Sequence, residues 1–127
     1  MTDQKIIWIL DDDPGMREAL ERVLSLHGFY TRSFASISEF YSRAKPEQAV
    51  CLILDIDLNG QSGIDLKRQL SNSVPWLPVI FITGGDCDAT RHAVQHVGCA
   101  AYLAKPFGSK ALLDAIETAI GIPNRLN

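Results

Sequence analysis

Residues 50–63, VCLILDIDLNGQSG, constrain the fold of this chain more than any other stretch. An unbroken apolar run stops at a carboxylate, Asp55, and the chain then passes into Asn59, Gly60, Ser62 and Gly63. An apolar run of strand length without polar alternation has no face to give to water. It predicts a strand buried on both sides, as in a parallel sheet covered by helices. Asp55 stands at the carboxyl end of that strand, and in open α/β sheets the crevice beyond the carboxyl ends is where ligands bind.

Residues 5–10 form a second apolar run, which also ends in acids: Asp11, Asp12 and Asp13. Pro14 favours the first turn of a helix and Asp the position before it, so Asp13 has a capping role. Met16, Leu20, Val23 and Leu24 then recur at helical spacing up to a stop at Gly28. Capping leaves Asp11 and Asp12 unexplained. Two neighbouring carboxylates at a strand end repel each other, and a bound cation would relieve that cost. Residues 29–34 read as a weaker strand at a sheet edge. Ser36 and Glu39 form a capping box ahead of a helix whose apolar stripe is Ile37, Phe40, Tyr41 and Ala44, ending before Pro46. Beyond Asp55, Ser62 caps a short helix over residues 63–70, with Leu66 and Leu70 inward.

Pro75 and Pro78 bracket the entry to a strand over residues 79–82, which runs into Thr83, Gly84, Gly85 and Asp86. Residues 89–97 predict a helix closed by Gly98, and residues 101–103 a short strand followed by Lys105 and Pro106. Ser109 opens a last helix with Leu112, Ile116 and Ile120 on one face. Asp86 and Asp88 read as loop and cap residues, and the tail from Asn124 as frayed. Strands alternating with helices through short crossovers predict a flavodoxin-like (βα)5 doubly wound parallel α/β sheet of strand order 2-1-3-4-5, a single domain over residues 1–127. Strands 1 and 3 are then neighbours at the point where the order reverses. Asp11, Asp12 and Asp55 converge there, and Thr83 and Lys105 arrive along the same edge. Taken singly, Thr83 is an ordinary β-branched strand residue and Lys105 an ordinary surface lysine. A flavin site is disfavoured, because the acids of residues 11–13 would repel its phosphate.

Composition narrows the function classes. A length of 127 residues with 46% hydrophobic and 21% charged residues fits one globular domain. No apolar run is long enough to cross a bilayer and MTDQK does not open a cleavable signal, which predicts a cytoplasmic protein away from membranes. A net charge of −3 without a dense Lys/Arg stripe argues against direct nucleic-acid binding. Cys51, Cys87 and Cys99 form no close pair and no metal-type spacing; they fit a reducing compartment and read as small buried hydrophobes. His92 and His96 read as a solvated helix face ahead of a metal pair.

The order Asp11-Asp12, Asp55, Thr83 and Lys105-Pro106, with Gly63 eight residues after Asp55, resembles the receiver domain of two-component response regulators over essentially the whole chain. The segments FITGGD and YLAKPF are similar to receivers of nitrogen-fixation (LuxR-type) regulators, whose full-length members often carry a helix-turn-helix output domain. The resemblance implies that Asp55 is the phosphoacceptor of a phosphorelay, taking its phosphoryl group from a phosphohistidine on a sensor histidine kinase or phosphotransfer protein. It implies Mg2+ held by Asp12, Asp55 and the backbone carbonyl of Asp57, with Asp11 reaching it through water. Lys105 and Thr83 would contact phosphate oxygens, and Pro106 would follow a cis peptide bond. Tyr102 would fill space vacated when Thr83 moves inward, although a packed strand tyrosine explains it as well. The fourth helix, fifth strand and fifth helix would carry the output, as a phosphorylation-dependent homodimer or a partner contact in transcriptional regulation. The chain would be no enzyme beyond its own phosphorylation and dephosphorylation at Asp55.

Two other classes stay open. The spacing Asp55-Ile56-Asp57 suggests a Mg2+-dependent phosphatase of the haloacid dehalogenase type, but that motif normally follows the first strand and no cap domain is recognisable. A receiver degenerated to a docking module is opposed by the intact acids and Lys105. The chain also departs from the family. Asn59 stands where Pro is frequent and Gln61 where an apolar residue is frequent, so the loop after Asp55 is expected to be more mobile. The Gly84-Gly85-Asp86 loop looks a residue short, and its two glycines raise the entropy cost of ordering it. The Asp57 side chain is expected at the pocket mouth.

Overall fold

The computed structural model of the protein describes residues 5–45 and 48–121. In chain order the elements are β1 (Ile6–Leu10), α1 (Pro14–Leu26), β2 (Tyr30–Phe34), α2 (Ile37–Arg43) and β3 (Ala49–Asp55). Next come β4 (Asp57–Leu58), β5 (Gln61–Ser62), α3 (Gly63–Ser73), β6 (Val79–Thr83), α4 (Asp88–Val97), β7 (Ala101–Ala104) and α5 (Ser109–Ile120). β4 and β5 make a separate antiparallel hairpin. The main sheet runs β2-β1-β3-β6-β7 with every pairing parallel, which is the expected 2-1-3-4-5 order once the hairpin is left out of the count.

Period-two alternation divides the core between the two faces of this sheet. Ile7, Ile9, Cys51, Ile53, Ile80 and Ile82 face Leu20 and Leu24 of α1 and Leu112 and Ile116 of α5. Trp8, Leu10, Leu52, Leu54 and Phe81 face Phe40 of α2, Leu66 and Leu70 of α3 and Val94 of α4. Trp8, Phe34 and Phe40 meet edge to face, with ring centroids 5.4–6.3 Å apart. Each such side chain stabilises the fold by about 1.5–3 kcal/mol through burial alone. Both faces of β1 and β3 are thus covered, which is why their sequences do not alternate in polarity.

Helix boundaries follow the capping chemistry. Asp13 Oδ1 accepts the Gly15 N–H at 3.0 Å ahead of Pro14, and the chain leaves α1 through Gly28 at φ +87°. Ser36 accepts the Glu39 N–H at 3.1 Å while the Glu39 carboxylate accepts the Ala35 N–H at 2.8 Å, closing a box around the start of α2. Ser62 caps α3 through the Asp65 N–H at 3.2 Å. Several details differ from expectation. Tyr41 is not part of the apolar stripe: it is exposed, and its hydroxyl donates to Gln69 at 2.6 Å. The inward row keeps the other three expected residues: Phe40 is buried, and Ile37 and Ala44 pack half-buried against the same core. α3 continues past Leu70 to Ser73, β6 includes Thr83, and the N-cap of α4 is Cys87 with Asp88 as its first helical residue. Only Cys51 is buried; Cys87 is exposed and Cys99 half-buried. Pro46 and the tail from Asn124 lie outside the described residues. Among the described residues no helix is long and apolar enough to cross a membrane.

Candidate functional site

Adjacent strands β1 and β3 end side by side, and the acids stand there, Asp11 just after β1 and Asp55 as the last residue of β3. Asp11 follows β1 directly and its side chain is fully buried. Its Oδ1 accepts the Asp13 N–H at 2.9 Å and its Oδ2 faces Lys105 Nζ at 3.1 Å. Asp55 closes β3, 5% exposed; Oδ1 accepts the Asp57 N–H at 3.1 Å and Oδ2 faces the same Nζ at 3.2 Å. One oxygen each from Asp11, Asp12 and Asp55 lie within 4.8 Å of one another. Three convergent carboxylates are a hard-oxygen donor set suited to a small divalent cation.

The charges are unbalanced in a way that bears on chemistry. Burial and then the charge of Asp11 push the Asp55 carboxyl up to about 6, against the opposing pull of the Asp57 N–H and Lys105. Burial works against the Lys105 ammonium, but Asp11 and Asp55 outweigh it and hold its pKa above the ordinary value. One ammonium thus serves two buried carboxylates, with Asp12 half-buried beside them. Lys105 is aimed by its backbone: its N–H donates to the Thr83 carbonyl at 2.7 Å, and the Lys105–Pro106 peptide is cis.

Thr83 ends β6, almost fully buried, and its Oγ1 accepts the Gly85 N–H at 2.9 Å. Thr83, Gly84, Gly85 and Lys105 line the same cavity as Asp12 and Asp55, about 450 Å³ in volume. Asp57 lies at its mouth with an exposed side chain. Gly63 is required by contact. Its N–H donates to the Ile56 carbonyl at 2.7 Å, and a Cβ there would lie 2.2 Å from the Asp55 carbonyl oxygen. α3 therefore starts against the end of β3.

The segment expected to be loose is a tight hairpin. Asn59 at φ +51° and Gly60 at φ +85° occupy the two central positions of a primed turn, and Leu58 anchors it as a buried residue. Asn-Gly is the strongest short signal for such a turn, yet the flanking strands of two residues are too short to show alternation. Four contacts were not foreseen. Arg17 Nη1 donates to the Asp11 carbonyl at 2.7 Å, and Thr90 of α4 lines the crevice. Tyr102 does not reach the cavity: its hydroxyl donates to Asp86 Oδ1 at 2.8 Å, and Arg91 grips both oxygens of the same carboxylate. Burial and Asp86 raise the Tyr102 hydroxyl to about 12, while Arg91 and then Tyr102 lower the Asp86 carboxyl. Asp86 is thus a junction and not only a loop residue. His92 and His96 are exposed away from the crevice, their rings stacked at 5.6 Å.

A parallel sheet of this order, with acids and a lysine gathered at the carboxyl ends, defines a class, and comparison with known proteins places the chain in it. Residues 7–117 match the response regulator receiver domain, and the chain belongs to that family. It is 36% identical over 122 residues to the response regulator protein TodT of Pseudomonas putida, covering 94% of this chain and 53% of that one. It is 35% identical over 115 residues to the DNA-binding transcriptional regulator NtrC of Proteus hauseri, covering 90% of this chain and 24% of that one. The chain spans about half the length of TodT and about a quarter of NtrC. In fold it is similar to a CheY-like receiver domain protein from Methanospirillum hungatei, with a TM-score of 0.85 at 24% identity over 93% of this chain and 94% of that one. It is a receiver domain related to those of transcriptional regulators.

Proposed function

We propose that Asp55 is the phosphoacceptor of a two-component phosphorelay. The observation that carries this reading is a nearly buried carboxylate at the end of β3, paired with Lys105 and within reach of Asp11 and Asp12. A carboxylate oxygen of Asp55 attacks the phosphorus of a phosphohistidine on a sensor histidine kinase or phosphotransfer protein. The phosphorus–nitrogen bond breaks, its electron pair returns to the imidazole, and an acyl phosphate remains on Asp55.

The donor set fits Mg2+, which Asp12, Asp55 and the backbone carbonyl of Asp57 would hold directly and Asp11 through water. Bound there, the ion neutralises charge on the incoming phosphoryl oxygens. Lys105 supplies a mobile cation that leaves Asp55 for a phosphate oxygen. Thr83 already accepts from the Gly85 N–H, so its hydroxyl proton is available to donate to another. The added phosphate brings about −1.5 to −2 charges.

The readout is proposed to be the surface of α4, β7 and α5, used for a homodimer or a partner contact in transcriptional regulation in the cytoplasm. Residues 1–127 act as one receiver domain that works through protein contacts, either alone or as the receiver part of a longer transcription factor, without itself binding DNA. The test is intact mass after acetyl phosphate with Mg2+. We expect one phosphate adduct on the parent, lost in Asp55→Asn and in chelator. A folded, Mg2+-binding parent without an adduct would contradict the reading in favour of a phosphorylation-independent docking module.

A further inference from the structure

The carboxylate of Asp86 joins three elements that the phosphorylation chemistry does not itself connect. Arg91 of α4 donates to it twice, Nε to Oδ1 at 2.8 Å and Nη2 to Oδ2 at 2.7 Å. The Tyr102 hydroxyl, on β7, donates to Oδ1 at 2.8 Å. A two-point guanidinium fork fixes the plane of the carboxylate, so the tyrosine oxygen meets an acceptor already held in place. The Tyr102 ring meanwhile packs against the core cluster shared by α2, α3 and α4.

This junction sits on the same short arc as Thr83. Only Gly84 and Gly85 separate Asp86 from Thr83, and neither glycine holds the arc by packing. A Cβ at Gly84 would meet nothing within 4 Å, and one at Gly85 only the Thr83 hydroxyl at 3.9 Å. The arc is therefore fastened at its two ends, by Thr83 at the crevice and by Asp86 at the outer face. Three Cα-to-Cα steps, at most about 11 Å, join Thr83 to Asp86, so a shift of Thr83 toward a phosphate on Asp55 takes up the slack of the two glycines and then pulls on the bonds of Asp86.

We propose that Asp86 is a latch: it holds the Tyr102 hydroxyl outward and opposes movement of the Thr83 arc into the crevice, and phosphorylation of Asp55 must break it to reposition Tyr102. This rests on the phosphoacceptor reading of Asp55. The latch is a competing set of bonds, so weakening it favours the phosphorylated arrangement without adding a contact to the phosphate.

The test is calorimetric titration with beryllofluoride in Mg2+, a mimic of the bound phosphate, on the parent, Asp86→Ala, Tyr102→Phe and the double variant. Tyr102→Phe keeps the ring and removes only the hydroxyl. Each single change should tighten apparent binding by roughly twofold to fivefold, the scale of one or two exposed hydrogen bonds. The double variant should gain no more than the stronger single one, because both remove the same bond. Asp86→Asn, which keeps an acceptor for Tyr102 but loses the charged fork, should fall between parent and Asp86→Ala. Unchanged or weaker binding in the single variants, or strictly additive gains, would overturn the latch while leaving Asp55 chemistry intact. A folded parent that takes up no beryllofluoride would overturn the phosphoacceptor reading, and the latch with it.

Discussion

Replacing Asp55 with Asn should stabilise the metal-free protein at neutral pH. The Asp55 carboxyl, ordinarily near 3.8, is pushed up to about 6 by burial and then by the charge of Asp11. The folded state holds that proton more tightly than the unfolded chain. Stability is therefore lost as pH rises from about 4 through about 6 and stays lower above that range. A displacement of this size corresponds to at most about 3 kcal/mol. The crevice is open to water at its mouth and Asp55 is linked to Asp11 and Lys105, so about 1–2 kcal/mol is the recoverable part. For a domain of this length that is about 3–6 °C in Tm. Asparagine keeps the shape and the oxygen that accepts the Asp57 N–H, and Lys105 keeps Asp11 as its partner. The assay is thermal and urea denaturation in chelator at pH 4.5, 6 and 7.5. The variant should exceed the parent at pH 7.5, and the gap should close toward pH 4.5 as the parent carboxyl takes up its proton. Mg2+ at tenfold its Kd should restore about 1.4 kcal/mol to the parent and narrow the gap from the other side. Equal stability at pH 7.5, or a gap that widens toward acid, would refute the electrostatic reasoning.

Other substitutions test other parts of the site. Gly63→Ala places a methyl against the Asp55 carbonyl oxygen, which must move; a loss of about 1–3 kcal/mol by urea denaturation is expected, and a parent-like midpoint would contradict it. Lys105→Gln removes the cation shared by Asp11 and Asp55. It should lower stability at pH 7.5 more than at pH 4.5 in metal-free buffer and cut the yield of acetyl phosphate adduct, both read on one preparation. Gly60→Ala forces a side chain to φ +85° in the hairpin after Asp55; about 1 kcal/mol of destabilisation is expected, against no change if the hairpin were loose.

Much of this architecture was legible because its strongest signals are local. The apolar runs of β1 and β3 lack alternation since both faces are covered, and short right-handed crossovers leave few ways to order the strands. Once β1 and β3 are neighbours, the grouping of Asp11, Asp12, Asp55 and Lys105 follows from their places at strand ends. Features that depend on side-chain direction were not legible. Tyr41 and Phe40 are adjacent in sequence, and only the packed helix decides that Phe40 turns inward. The Asp86–Tyr102 bond joins residues sixteen apart through the pairing of β6 with β7. Arg17 reaches the Asp11 carbonyl from the first turns of α1, where its sequence position marks only a solvated helix residue. The Asn59-Gly60 turn carried its usual dipeptide, but two-residue strands hid the hairpin around it.

The central claim is that the phosphoryl group is carried by one particular carboxylate among three that lie within 4.8 Å of one another. Borohydride reduction of the acetyl phosphate-treated protein, followed by peptide mapping, tests it most directly, because reduction of an aspartyl phosphate leaves homoserine at the residue that bore it. The account predicts homoserine at position 55 alone, dependent on Mg2+. Homoserine at position 11 or 12, or conversion at 55 that survives removal of Mg2+, would contradict it.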